Sequence, residues 1–448
     1  MKKKISLPSA FWAFASVVWL VCVVLAAASP AVAQLAPSPP PVAATAGAAP
    51  APADRISLDE AIGLALQHNH ALLAARTTIL QNQANETTAN LRPNPVLAFD
   101  SQFFPLFNPG SFNSDYLANN AQFDLGIGYL FERGRKRQHR LQAARDQTDV
   151  TRSQVFDNQR QIVFNVGQQF VAALLAQSSL DFARQNLDSF RQTIEITQAR
   201  YTAGDIAEGD LLKIKLQLLQ FQSDLSAARL AKIQALAALR QLLGFESVPA
   251  NYDVAGDLSY HSVTAGLDDL KALALRSRPD LQAAQRNVTA ARSQETLAEA
   301  NGKRDLNASF NYTHTAGISS GAFFFNMELP VFNRNQGEIA RTRFVISQQQ
   351  ELRSEASEQV MSDVTNAFEN LRTSEQIIQL YQGGYVDQAK QSRDISEYSY
   401  KKGVASLLDY LDAERSYRAN QVAYRQALAS YMNALEQMRQ AVGTRNLP

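Results

Sequence analysis

Cysteine is almost missing from this chain: its 448 residues contain one, Cys22. A disulfide framework is therefore excluded, as is a cysteine-based metal site. Charge of one sign is missing too. Lysines and arginines (43) nearly balance aspartates and glutamates (42), and no long run of either sign occurs. Phosphate binding needs a concentrated basic face, so nucleic acid is excluded as the main partner. Proline is the most informative absence. Beyond residue 55 it occurs only at positions 93, 95, 105, 109, 249, 279, 330 and 448. Residues 135–203, 206–243, 335–402 and 405–442 contain none. Proline breaks helix interiors, so these windows mark helices.

The N-terminus has the layout of an export signal. Lys2, Lys3 and Lys4 precede an apolar stretch, and Ala31-Val32-Ala33 forms a small-residue cleavage site. With residues 1–33 removed, no thiol remains. Residues 34–54 carry six of the sixteen prolines, and such a composition predicts an extended or disordered leader.

What fills the proline-free windows is Ala, Leu, Gln, Arg and Glu, all helix formers. Val166, Ala173, Leu180, Leu187, Ile194 and Tyr201 recur every seven residues. Ile214, Leu218, Phe221, Leu225 and Ala228 continue with alternating spacings of four and three. This is the seam that knobs-into-holes packing requires. At 1.5 Å per residue the 135–203 window spans about 100 Å, and helices over 57–91 and 206–243 span roughly 50 and 55 Å. Two shorter helices end to end thus match one long one. The windows 267–301, 335–402 and 405–442 repeat the arithmetic.

The two halves also align residue by residue. Leu58-Asp59 and Leu64-Ala65-Leu66 match Leu267-Asp268 and Leu273-Ala274-Leu275. Tyr201, Gly204, Asp210 and Leu212 match Tyr400, Gly403, Asp409 and Leu411. The offset falls from 209 to 199 between these regions, so the first copy holds an insertion, placed in the loop around 105–120. The expected organisation is repeat 1 over 55–250, a linker over 251–265, repeat 2 over 266–443 and a tail over 444–448. Each repeat also carries two segments with apolar residues at every second position, over 96–104 and 122–131, then 305–315 and 322–331. Period-two alternation over about ten residues is the pattern of a strand crossing an outer membrane. Four strands cannot close a barrel, and open edges are not tolerated in lipid, so several chains would have to share one barrel.

These features resemble the TolC family of outer-membrane efflux proteins over nearly the whole mature chain. The resemblance is carried by Ser57-Leu58-Asp59-Glu60-Ala61, by Tyr201-Thr202-Ala203-Gly204 with Asp210, and by Tyr400-Lys401-Lys402-Gly403 with Asp409-Tyr410-Leu411-Asp412-Ala413. The stretch Glu328 to Gly337 is similar to the branch serving heavy-metal and related resistance–nodulation–division pumps. The resemblance implies a mainly α fold with a small β-barrel: a long helical coiled-coil tunnel and four transmembrane strands per chain, completed as a twelve-stranded barrel in a homotrimer. It implies a place in outer-membrane lipid, docking to a periplasmic adaptor through the turns at Gly204 and Gly403, and work with an inner-membrane transporter. It further implies gate acids at Asp409 and Asp412, and a lock in which Tyr400 pairs with Asp210. Ala405 stands where the family usually has an arginine reinforcing that lock, so a weaker constriction is expected.

No catalytic constellation stands out. His68 and His70 are the only close histidine pair, and their spacing puts them on different sides of a helix, which argues against a metal site. Gly383-Gly384 lies inside a helical window and reads as a kink rather than a phosphate cradle. No cofactor motif occurs, and an enzyme is the least supported class. A channel for type I protein secretion shares the expected fold and is the alternative to efflux. A periplasmic coiled-coil adaptor would lack the duplicated strand pairs.

Overall fold

The computed structural model describes residues 54–447. The expected signal segment, and the leader up to residue 53, lie outside the described residues. The chain enters on a short strand, β1 (Arg55–Ile56), and turns into α1 (Leu58–His68). Ser57 and Glu60 open this helix by satisfying each other's backbone N–H. The helix expected over 57–91 is divided: α2 (His70–Ala89) starts afresh after Asn69. Then come β2 (Val96–Gln102), the one-turn-plus helix α3 (Ser114–Asn119), β3 (Gln122–Phe131), α4 (Lys136–Thr202) and α5 (Glu208–Leu243). A second short strand, β4 (Asp253–Val254), pairs in parallel with β1, so the expected linker is tied back to the start of repeat 1.

Repeat 2 follows the same plan: α6 (Leu267–Ser277), α7 (Pro279–Asn301), β5 (Leu306–Thr315), β6 (Ile318–Met327), α8 (Gln336–Leu380), α9 (Val386–Lys401) and α10 (Leu407–Val442). Its first window is divided as well, at Arg278. The long window of repeat 1 is one 67-residue helix, whereas that of repeat 2 is interrupted by a π-turn at Tyr381–Tyr385. There Gly384 has φ 103°, and the expected kink at Gly383-Gly384 is what the backbone shows.

Both divisions are anchored, in chemically different ways, and only the first has a side-chain cap. The Asn69 side chain accepts from Leu72 N–H, and its amide donates to Leu242 O at 2.8 Å. At the matching position of repeat 2, Arg278 donates to Ala441 O, the counterpart of Leu242 O, and forms ion pairs with Asp280 (2.5 Å) and Asp363 (2.7 Å). Pro279 begins α7, where its missing N–H costs nothing. Each division thus ties a helix pair to the far end of its repeat's last helix.

The cores repeat too. Ala65, Leu239 and Leu243 of repeat 1 are fully or almost fully buried, as are Ala274, Met438 and Val442 at the matching positions. A third cluster gathers Leu187, Phe190, Ile214, Phe221, Tyr400 and Tyr410 towards the end where α4 and α9 finish and α5 and α10 begin. A fully buried Leu or Phe contributes about 1.5–3 kcal/mol relative to exposure. The exposed ion pairs along α4, such as Arg184–Asp181 and Arg191–Asp188, are worth about 0–1 kcal/mol each. The apolar seams therefore hold the rods together.

The four longer strands form one antiparallel sheet in the order β2-β3-β5-β6. Helices attached to them pack in the same order, α2–α4–α7–α8. β6 lies four residues earlier than the sequence pattern placed it. Ala316 and Gly317 both have positive φ and make a two-residue turn, so pairing starts at Thr315↔Ile318 and ends at Leu306↔Met327. Leu329 and Val331 therefore fall outside the strand, beside Pro330, which has no N–H to donate. β2 stops at Gln102 because Phe103 adopts φ 62°. The connection that follows, residues 103–121, is the insertion expected in the first copy.

The two anchors should differ in weight. Arg278→Ala leaves Asp363 without its cation and Asp280 with only Arg160, at 3.8 Å; both acids are about one-third exposed. The loss should be roughly 2–3 kcal/mol, short of the ~3–5 kcal/mol of a fully buried pair. Asn69→Ala removes a helix cap and one hydrogen bond, about 1–2 kcal/mol. Thermal melting of the detergent-solubilised protein, followed by circular dichroism, should therefore rank R278A below N69A and both below the parent.

Candidate functional site

Two regions carry the functional geometry: the sheet, and the turns that join the long helices at the opposite end. The sheet's register sorts its side chains cleanly. Leu97, Ile127, Phe310 and Phe323 stand side by side across all four strands. On the same face follow Phe99, Leu125 and Tyr312 in one direction, and Tyr129 and Phe325, then Phe131, Leu306 and Met327, in the other. These side chains are largely exposed: Phe323 by 73%, Phe325 by 68% and Leu97 by 60%. The other face carries Asp100, Asp124, Thr313 and Ser320 in one row, and Gly126, Asn311, Ala98 and Ala322 in the next. Asp124 accepts hydrogen bonds from Thr313 and from Gln122 on that face. Its large apolar members are Val96, Leu130 and Phe324, near the end joined to the helices, and Ile318 at the turn on the opposite end. One face thus suits hydrocarbon and the other water. Both outer strands, β2 and β6, keep an unpaired edge.

At the far end, α4 and α9 finish in the same way. Gly204 (φ 86°) and Gly403 (φ 76°) occupy the left-handed position after each helix. Gly204 N–H and Asp205 N–H donate to Tyr201 O and Arg200 O; Gly403 N–H and Val404 N–H donate to Tyr400 O and Ser399 O. These are the paired C-terminal bonds of a Schellman turn, which explains glycine at both sites.

The structure brings only some of the expected residues together. Tyr400 is buried, with its ring stacked on Tyr410 (5.5 Å between centroids, 7° between planes) and its hydroxyl 3.3 Å from Thr197 Oγ1. Arg200 lies over the Tyr400 ring and donates to Tyr400 O at 2.8 Å. Asp210 is not Tyr400's partner within the chain: it starts α5 and accepts from Lys213 at 3.2 Å. Asp409 and Asp412 are exposed. Asp409 accepts from Ser406 N–H and Oγ in the capping box that opens α10, and Asp412 lies 3.7 Å from Arg415. His68 and His70 fall on either side of the division at Asn69, in different helices.

Behind the tip lies a polar cluster that the sequence reading did not single out. Glu397 of α9 binds Lys401 (2.6 Å) and Arg393 (3.5 Å). Arg393 also covers the ring of Tyr417, while Arg418 covers Phe221 and pairs with Asp224. Glu414 sits among them, 7% exposed. Burial holds its carboxyl above the ordinary range; Arg393 and Arg418 pull the other way, and Glu397 and Asp394 add to the rise. A signal existed: Leu407, Tyr410 and Glu414 share the three-and-four spacing of a buried stripe, which makes Glu414 a carboxyl on an apolar face.

Because its folded-state pKa is raised, an ionised Glu414 weakens the fold. That penalty is present above the raised value and disappears as pH falls through it. Glu414→Gln should therefore melt above the parent at pH 8, with the gap closing below the ordinary carboxylate range. Equal melting temperatures at pH 8 would contradict the assignment.

Comparison with known proteins agrees with this geometry. The family model described as outer membrane efflux protein matches residues 61–245 and 270–444, one segment in each repeat. Nodulation protein T of Rhizobium leguminosarum bv. trifolii is 22% identical over 392 residues, 81% of this chain and 80% of that protein. The cobalt-zinc-cadmium resistance protein CzcC of Cupriavidus metallidurans is 24% identical over 403 residues, 87% and 88% of the two chains. Among solved structures, the open state of the MtrE outer membrane channel of Neisseria gonorrhoeae superposes with a TM-score of 0.71 at 18% identity, covering 87% of this chain and 90% of that one. The likeness to that structure establishes the fold.

Proposed function

The chain belongs to the outer membrane efflux protein family, and from that premise we propose that three copies close one twelve-stranded barrel in the outer membrane and continue it inward as a helical tunnel. The channel is a passive conduit: an inner-membrane transporter, reached through a periplasmic adaptor, supplies the work and the cargo. The observation that carries this reading is the sheet, with one apolar exposed face, one polar face and two unpaired edges. The helices below are open in the same sense. Leu80 on α2 and Phe344 on α8, at the two flanks of the packing order, are 63% and 76% exposed. Leu216, Leu219 and Ile233 leave a further apolar strip on α5. Neighbouring copies cover these flanks and pair β2 with β6.

In this assembly the turns at Gly204 and Gly403 face the periplasm and meet the adaptor. Asp409 and Asp412, at the start of α10, line the narrow end. Three copies of each crowd negative charge around the axis, which attracts cations and repels anions. The cap that Asp409 provides is compatible with this, since Ser406 engages only its Oδ2. The lock is formed within each chain by Tyr400, Tyr410, Thr197 and Arg200. Arg200, from the first repeat, supplies a guanidinium near the place where Ala405 leaves the second repeat without one.

Membrane fractionation should recover the protein in the outer membrane as an SDS-resistant, heat-modifiable trimer; a soluble monomer would contradict the channel. In planar bilayers, Asp409→Asn/Asp412→Asn should lower cation selectivity and relieve block by divalent cations. Selectivity and block unchanged from the parent would remove both acids from the gate.

A further inference from the structure

Lysine and arginine are distributed around the strands in an unusual way. Residues 93–131 and 305–333, which contain all four long strands and their outer connections, have neither. Cations stand at all four flanks of these segments: Arg92 before the first, Arg133 to Arg140 after it, Lys303 and Arg304 before the second, and Arg334 after it. The register places these flanks at one end of the sheet, beside the row Phe131, Leu306 and Met327.

Acids at this junction are few and already engaged. Glu132 binds Arg140 (2.7 Å), Asp305 binds Lys136 (2.8 Å) and Glu328 binds Arg304 (3.0 Å). The side-chain cations of Arg92, Arg133, Arg135, Arg137, Lys303 and Arg334 have no carboxylate within 4.0 Å among the described residues, although the Arg133 backbone N–H donates to Asp305 at 2.8 Å; all but the half-exposed Arg137 are exposed. The arrangement even opposes local helix electrostatics. Arg135, Lys136 and Arg137 crowd the start of α4, whose first turn holds no acid. A helix N-terminus carries partial positive charge, so cations there are unfavourable, and the single carboxylate of Asp305, shared between Arg133 N–H and Lys136, offsets only part of this.

The cations also adjoin the apolar face. The Arg133 guanidinium contacts Met327 Sδ at 3.5 Å, at the last position of β6 on that face. Leu329 and Phe332, 75% and 92% exposed, continue the apolar surface beside Arg334. The stem of Lys303 lies across Gly134, which brings it against the Arg133–Arg135 turn. An apolar band is thus bordered on its helix side by a collar of unpaired cations, and on the opposite side by loops without any.

We propose that this collar binds the anionic headgroups of glycerophospholipids in the periplasmic leaflet, fixing the depth of the barrel at its inner rim. The proposal rests on the channel reading, which sets the sheet in the membrane with its helices on the periplasmic side. Guanidinium groups pair bidentately with phosphate, and five of the six free cations are arginines. Each Lys or Arg beside an anionic bilayer surface strengthens attachment about fivefold.

Native mass spectrometry of the detergent-solubilised full-length protein, titrated with phosphatidylglycerol or phosphatidylcholine, tests this. The unmodified trimer should retain phosphatidylglycerol at least about tenfold more than phosphatidylcholine. Arg133→Gln/Arg135→Gln/Arg137→Gln should bring the two lipids close to parity, while R184Q/R191Q, changed far along α4, keeps the preference. Should the triple variant fail to assemble, the unmodified trimer decides: a tenfold rise in ammonium acetate should erase most of the preference if charge is its source. Equal retention of both lipids by the parent, a preference that survives the triple substitution, or one indifferent to salt would overturn the collar while leaving the barrel standing. A protein that retains neither lipid would contradict the membrane sheet itself.

Discussion

Every other feature depends on one constraint: a strand in hydrocarbon must have both of its edges paired. An unsatisfied backbone group in lipid costs several kcal/mol, and the four-stranded sheet of one chain presents two whole edges. No rearrangement within the chain closes them, because four strands cannot curl into a barrel. On the proposed channel reading, assembly is therefore a condition of the fold in its membrane. The helical part follows the same logic with a different penalty: α2 and α8 flank the packing order just as β2 and β6 flank the sheet, and the helices leave apolar side chains rather than backbone groups uncovered.

Duplication builds this wall economically, and the departures from symmetry show where the copies have specialised. The division of the first helix pair is kept in both, yet Asn69 and Arg278 anchor it by different chemistry while reaching matching carbonyls. The long rod is continuous in repeat 1 and bent in repeat 2, where the π-turn and Gly384 separate the upper core around Ile378 from the tip cluster around Tyr400. The tip itself joins unlike parts, since Arg200 and Thr197 come from one copy and Tyr400 and Tyr410 from the other.

Much of this was legible before any coordinates. The outer ends of the proline-free windows lie within two residues of the rods' ends, because proline's exclusion from helix interiors is nearly absolute, but the absence of proline over 335–402 gave no sign that two helices fill that window. Strands β3 and β5 were placed well by their alternation. β6 was not: aromatic residues dominate the pattern over 322–331, whereas the tight turn at Ala316-Gly317 sets the register and enlists Ser319, Ser320 and Gly321 instead. The divisions at Asn69 and Arg278 were missed, although an N-capping residue and a residue preceding proline were in view. Asp210 and Lys213, three residues apart on one helix, were in view, but the pairing of Tyr400 with Thr197 and Arg200 was beyond reach. Partners two hundred residues apart are chosen by the rotation of packed helices about their axes, which one sequence does not reveal.

The account turns on the two faces of the sheet, and single cysteines on one cross-strand row and its neighbour test that most directly. Phe310 faces Phe323, and one residue along each strand Asn311 faces Ala322. In a cysteine-free background, with the protein reconstituted in lipid vesicles, a membrane-impermeant maleimide should modify Asn311→Cys and Ala322→Cys but spare Phe310→Cys and Phe323→Cys. Equal labelling at all four positions would mean that neither face meets hydrocarbon, and the barrel would fall with it.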